Sequence, residues 1–377
     1  MSMVPITVNE RSLSISLNGS DTSEFHFVWL RDNCQCEDCL HPVTGERTSI
    51  TSEIPLNISP IASFADNGKL TVMWNHKQHQ STYSFEWLSQ YSTVNDSNIT
   101  IYNDPAMGEM QLWDNSLENN IPTFEYSNLL NDESSLRSWC EAIRDTGLTI
   151  MQNAPTNQGE IERFAEHVAC VRETVFDKLH NVLANPDAYN VGSTNLELKP
   201  HTDMPNYNNP PGIQMFHFLV NDAKGGENIA VDGFNVAKQL KEQDPEAYDT
   251  LTKVAVPFRM FSAKGDILCA NPIFSLDSEG KLKIVRFSNQ LAQSLRLSND
   301  ELDKFYHAYR LLGQLIENPE NIVTFKLKTG DMMATNNLRV LHGRTSYEIY
   351  SGPRHLQLTY MDYDEILSRI RMIKKAE

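Results

Sequence analysis

The triplet His201-Thr202-Asp203, inside LKPHTDMPNYNNPPG, is the first place where residue types and spacing could do chemistry. In an extended segment residues two apart point to the same side, so one imidazole and one carboxylate converge on one point. A second histidine would complete the two-histidine, one-carboxylate face that non-haem Fe(II) oxygenases use, with coordination positions left open. His342, in LRVLHGR near the end of the chain, follows a β-like segment and is the candidate third ligand. Arg354, in GPRHLQLTYMD on the next expected strand, adds a planar fork that pairs bidentately with a carboxylate, as a dicarboxylate co-substrate beside iron requires. Singly, the triplet reads as a surface turn, His342 as a core histidine and Arg354 as an ion pair. Their order along the chain is far more specific than any one member. His217 and His355 lack such partners and read as structural.

A second cluster lies in RDNCQCEDCLHP, where Cys34, Cys36 and Cys39 share one turn. Clustered thiols in a reducing compartment more often hold metal than form disulfides. Three thiolates need one further ligand for a tetrahedral zinc ion. His41, His76 and His79 are the nearby candidates; His41 is too close in sequence, so the expected ligand comes from KLTVMWNHKQHQSTYSF. A closed Cys3His set holds a small domain together and leaves no position for chemistry. Cys140, Cys170 and Cys269 are scattered and read as buried small hydrophobes.

The elements that must position these residues are mostly strands. Residues 5–17 alternate apolar and polar and end in the hairpin signal Asn18-Gly19, and FHFVWL at 25–30 reads as a second strand. Periodicity fades over 96–124, which reads as a linker between a domain at 1–95 and one at 125–377. Helices are expected from Asp132-Glu133-Ser134, over 158–171, over VAKQLKEQDPEAYDTL, and from a capping box at Ser298 and Glu301. Between them GLTIMQN, IQMFHFLV, NIAVDG, VPFRMF, DILCANPIFSL, KLKIVRFSN, VTFKLK, MMAT, LRVLHGR and HLQLTYMDYD read as strands. Many strands with few helices between them predict a mainly β fold with added α: an antiparallel double-stranded β-helix, or jelly roll, behind a small zinc-binding β domain.

Composition narrows the partners. The 377 residues are 40% hydrophobic, ordinary for a globular chain, and their net charge of −17 opposes nucleic-acid binding, which needs a basic footprint. The opening MSMVPITVNERSLSISLNG lacks the basic and apolar pattern of a secretory leader, and no run of about 18 apolar residues occurs. A cytoplasmic protein with no membrane partner is expected.

The pieces WLRDNCQCEDC, HQSTYSFEWL, HTDMP, PPGIQMFHFLV, GGENIAVDGFNV, LHGRTSYE and RHLQLTYMDYD span nearly the whole chain. In this order they resemble the γ-butyrobetaine dioxygenase family of Fe(II)- and 2-oxoglutarate-dependent oxygenases, with its trimethyllysine and taurine dioxygenase relatives. The resemblance implies that His201, Asp203 and His342 bind Fe(II), that Arg354 binds the far carboxylate of 2-oxoglutarate, and that Cys34, Cys36, Cys39 and His79 bind Zn(II). Asn228 falls where relatives carry Ser or Thr near 2-oxoglutarate. It implies O2-dependent hydroxylation of a substrate C–H coupled to decarboxylation of 2-oxoglutarate to succinate, a homodimer, and ascorbate for full activity.

For the substrate, relatives hold a trimethylammonium group in an aromatic cage, a cation–π device. The cage positions fall on Phe176, His180, Ser193 and Tyr360, so two large rings are lost; Asn190 and Asn289 match substrate-carboxylate contacts, and Arg31 and Arg296 are further cations for an anionic end. The expected substrate is a small zwitterionic quaternary or primary amine, γ-butyrobetaine-like but not necessarily γ-butyrobetaine. An amino- or trimethylamino-alkyl phosphonate or sulfonate is the alternative. A non-catalytic ligand binder retaining the fold is the reading from another class, opposed by the complete triad.

Overall fold

Short strands of alternating character pair into mostly antiparallel sheets throughout the computed structural model, which describes residues 4–17, 22–92, 104, 106–183, 195–262 and 264–376. The chain divides into two units, Met1–Asn103 and Asp104–Glu377. The boundary falls within the stretch read as a linker. From Ala106 onward that stretch is fastened to the second unit: Trp113 donates from its backbone to Asp232 Oδ2 at 3.1 Å and from Nε1 to Thr146 O at 2.7 Å.

In the first unit β1 (Ile6–Val8), β2 (Ser12–Ser16) and β3 (Thr22–His26) form one sheet, and β4 (Pro60–Asp66), β5 (Lys69–Trp74) and β6 (Gln80–Ser84) another. Residues 5–17 are thus two strands and not one. Asn9 turns the chain, its N–H bonding Ser12 O and its side-chain amide bonding the Ser12 and Ser14 hydroxyls. Asn18-Gly19 lies outside the described residues. FHFVWL also splits: the strand ends at His26, and Phe27–Asp32 is a helix burying Phe27, Leu30 and Arg31 at helical spacing.

The second unit contains β7 (Thr123–Glu125), β8 (Leu148–Gln152), β9 (His180–Leu183), β10 (Leu198–His201), β11 (Ile213–Asn221), β12 (Asn228–Asp232), β13 (Ala255–Ser262), β14 (Gly265–Pro272), β15 (Phe274–Leu276), β16 (Leu282–Val285), β17 (Ile322–Phe325), β18 (Met332–Asn336), β19 (Val340–Arg344) and β20 (Arg354–Met361). Six strands run in the order β7-β8-β18-β11-β20-β9 and four in the order β10-β19-β12-β17, the two sheets of the expected double-stranded β-helix. Phe218 and Leu356 of one sheet pack with Ala230 and Val340 of the other.

Strand alternation decides which side chains see the space between the sheets. On β11, Gln214, Phe216 and Phe218 face the inner cavity, while Ile213 and Met215 join the core under the helices Glu133–Asp145, Glu160–Val168 and Tyr363–Ala376. The last helix was not expected; its Ile366, Ile370 and Ile373 enter that core directly after β20. VAKQLKEQDPEAYDTL is two helices, Gly233–Gln243 and Pro245–Lys253, because Pro245 cannot continue the hydrogen-bond ladder and Asp244 caps the second through Ala247 N at 2.9 Å. DILCANPIFSL likewise breaks into β14 and β15. The capping box at Ser298 and Glu301 opens the helix Asn299–Ile316.

Candidate functional site

Register assembles the triad. β10 and β19 pair antiparallel with His201 directly opposite His342, so both rings stand on one face, 4.4 Å apart between centroids. Gly343 permits this: a Cβ there would collide with the backbone of residues 198–200. Asp203 follows just past the strand end. Its backbone is clamped by Asn337, whose Oδ1 accepts from Asp203 N at 2.7 Å and whose Nδ2 donates to Asp203 O at 2.9 Å. Met204 then takes a left-handed conformation, φ 53°, which costs roughly 1–2 kcal/mol for a residue with a side chain. Asp203 Oδ1 lies 3.4 Å from His201 Nε2 and 3.9 Å from His342 Nε2.

These three residues offer two imidazole nitrogens and one carboxylate oxygen within 4.8 Å of one another, the donor set of a facial Fe(II) site. Lys199 O accepts from His201 Nδ1 at 2.9 Å, which leaves the Nε2 lone pair for a metal. Burial pushes the His342 imidazole down to about 4, helped by the neighbouring His201, so it stays neutral and ligand-ready. Burial opposes the Asp203 carboxylate, but His342 and His201 outweigh it and hold the group well below the usual carboxylate range.

The triad opens on a cavity of about 360 Å³. Arg354, at the start of β20, lines it with its Cζ 5.5 Å from the Phe218 ring and 5.3 Å from the Tyr347 ring. This guanidinium is buried and has no carboxylate partner among the described residues. Burial, then the charge of Arg344, lowers it to about 10. A buried cation without its anion fits a bound carboxylate. Asn228 also lines the cavity, its Nδ2 donating to Phe325 O at 3.4 Å.

Phe176, His180 and Tyr360 line the same cavity, the first two with ring centroids 4.8 Å apart. Asn190 and Ser193 lie outside the described residues. Asn289 does not reach the cavity; it is exposed and accepts from Tyr309 OH at 2.6 Å, while its neighbours Ser288 and Gln290 line the wall. Arg31 belongs to the cysteine cluster, donating to Cys39 Sγ at 3.4 Å, and Arg296 is exposed. His355 bonds Asn181, and His217 is fully buried on the opposite face of β11. Sequence reading missed Gln214, Asn337 and Arg344. Arg344 had a signal, two residues after His342 on one strand face; Asn337 had none.

In the first unit Cys34, Cys36, Cys39 and His79 converge, with sulfurs 3.3, 3.6 and 3.6 Å from His79 Nε2. Tetrahedral zinc with bonds of about 2.3 Å to sulfur and 2.0–2.1 Å to nitrogen sets this edge at about 3.5 Å, so the cluster fits zinc. Burial pushes the Cys34 thiol up to about 12, and a thiolate there calls for a cation. His41 instead accepts from Thr44 N in its own loop.

Comparison with known proteins identifies the family. Residues 107–360 match the family model described as taurine catabolism dioxygenase TauD, TfdA family, and residues 5–89 match the gamma-butyrobetaine hydroxylase-like N-terminal model. The chain is 34% identical over 364 residues to gamma-butyrobetaine dioxygenase of Pseudomonas sp. (strain AK-1), covering 96% of this chain and 94% of that protein. It is 29% identical to trimethyllysine dioxygenase of Meyerozyma guilliermondii (96% and 93% covered) and 28% identical to gamma-butyrobetaine dioxygenase of Homo sapiens (94% and 92%). The chain belongs to the TauD, TfdA family and is an Fe(II)- and 2-oxoglutarate-dependent dioxygenase.

Proposed function

We propose that His201, Asp203 and His342 hold the catalytic iron, that Arg354 receives the far carboxylate of 2-oxoglutarate, and that the apolar wall of the same cavity seats the ammonium end of a small zwitterion. The carrying observation is that three metal donors and an anion-less buried arginine share one cavity. Iron, 2-oxoglutarate and O2, when bound, supply the oxidising chemistry, with succinate and a hydroxylated carbon as outcome. The chain itself positions the co-substrate through Arg354, with Asn228 as a further donor, and excludes water with Val182, Met204, Phe216, Met260 and Leu358.

Among the described residues lining the cavity the only acid is Asp203. A primary ammonium there has no carboxylate to pair with beyond the metal-facing Asp203, whereas a quaternary one needs only apolar and aromatic faces such as Phe176, His180 and Tyr360. This favours a quaternary, γ-butyrobetaine-like substrate, in line with the names of the relatives. Zinc at Cys34, Cys36, Cys39 and His79 serves structure. Cytoplasmic residence, a homodimer and stimulation by ascorbate belong to the same reading; light scattering and ascorbate titration check the last two. No described helix is long and apolar enough to cross a membrane.

The test is a panel of trimethylammonium carboxylates including γ-butyrobetaine, the matching phosphonates and sulfonates, and their primary-amine counterparts, each assayed for succinate release and hydroxylated product. The quaternary members are expected to turn over; equal or faster turnover of the primary amines contradicts the reading.

A further inference from the structure

Across the six-stranded sheet, Gln214 on β11 stands opposite Tyr360 on β20 and Thr335 on β18. Residues opposite each other share a face, so the three side chains form one row beneath the triad. Gln214 and Thr335 are fully buried and Tyr360 almost so. Thr335 Oγ1 donates to Gln214 Oε1 at 3.4 Å, which turns the amide nitrogen toward Asp203. Gln214 Nε2 then donates to Asp203 Oδ2, and Tyr360 OH donates to the same oxygen at 2.6 Å. Both donors fall on Oδ2, and Oδ1 is left facing the Nε2 atoms of His201 and His342.

We propose that Gln214 and Tyr360 are positioning residues that fix the Asp203 carboxylate with one oxygen toward the metal and the other held away from it. Asn337 fixes the backbone of Asp203 but cannot stop its side chain from rotating. The two side-chain donors do so, because turning the carboxylate would take the acceptor from the buried Tyr360 hydroxyl and leave Gln214 Nε2 only the His342 Nε2 atom, 3.4 Å away, which the metal claims. The role of Tyr360 is then carried by its hydroxyl as well as by its ring. Since that ring also lines the cavity, it joins the substrate wall to a metal ligand. Gln214 is fully buried, and the Asp203 carboxylate supplies the acceptor that its amide needs there.

This inference rests on the triad being the iron site, and the experiment separates the two. The full-length, zinc-replete protein is titrated with Mn(II) alone, without turnover, by calorimetry or electron paramagnetic resonance. Wild type is expected to bind one Mn(II) at this site and His201→Ala to lose it; retention in His201→Ala overturns the iron reading itself. Tyr360→Phe keeps the ring and removes only the hydroxyl, and is expected to weaken Mn(II) binding about tenfold. Gln214→Leu is expected to weaken it by about 10- to 100-fold. The melting temperature of each zinc-replete variant before Mn(II) is added shows whether the fold is intact. If Gln214→Leu does not fold, Tyr360→Phe alone decides. Mn(II) binding in Tyr360→Phe that is unchanged or tighter, with His201→Ala still losing the ion, overturns the positioning role.

Discussion

The chain carries two clusters of candidate metal ligands of opposite design. In the first unit three thiols come from a single turn, Cys34 to Cys39, and His79 from the β5–β6 hairpin completes a set of four donors. In the second, His201 and His342 stand face to face on paired strands, Asp203 follows the strand end, and the site opens onto a cavity. A closed set of protein ligands spends every position on structure, whereas an open one leaves positions for a co-substrate and oxygen. One spacing is local and the other is a matter of strand register, so the two centres should fail in different ways.

The largest difference is expected on losing a zinc ligand. Cys39→Ala, or chelation, should unfold the first unit, because a small structural zinc domain gains its folding energy from the metal. Near-ultraviolet circular dichroism of the Trp29–Trp87 stack, 5.5 Å between centroids, reports it; an undisturbed signal after proven zinc loss removes the structural role. At the open centre the fold should survive and affinity should change. Arg354→Leu is expected to raise KM for 2-oxoglutarate about 10²- to 10³-fold through loss of charge-assisted hydrogen bonds, and Arg354→Lys about tenfold. Steady-state kinetics with varied 2-oxoglutarate checks this, and an unchanged KM moves the carboxylate elsewhere.

His217 belongs to neither centre and serves as a control for burial alone. It is fully buried, neither ring nitrogen has a hydrogen-bond partner among the described residues, and burial pushes it down to about 4. Its unfolded pKa is about 6.5, so the unfolded chain takes up a proton first as pH falls. Stability is therefore lost from about pH 6.5 down to about 4, by roughly 3 kcal/mol. His217→Leu should flatten that window in urea unfolding, and a slope identical to wild type assigns the titration to other groups. The smallest effect is expected at the cavity wall. Phe176→Ala should raise KM for the ammonium substrate about 2- to 30-fold and leave that for 2-oxoglutarate unmoved; equal changes in both would deny the wall its separate role.

The contrast also explains what could be read without coordinates. The cysteine turn and the triplet around His201 are local patterns, and His342 and Arg354 fell into place through their order along the chain. Asn337 was invisible because its partner Asp203 is 134 residues away, and Gln214 because only the path of the chain from Asp203 into β11 turns its amide back onto the carboxylate. Ordinary strand composition hid the break at Asn9 and the helix that begins at Phe27, where local polar bonds and one-sided burial outweigh alternation. Asn289 looked equivalent to its neighbours until the chain path turned it outward to Tyr309.

Succinate release from 2-oxoglutarate by zinc-replete protein, as a function of added Fe(II), tests the open centre most directly. Wild type should release succinate in proportion to bound iron, and His342→Ala should lose more than about a hundredfold of that rate while keeping its zinc and its melting temperature. A His342→Ala protein that releases succinate at the wild-type rate would contradict the assignment of the triad.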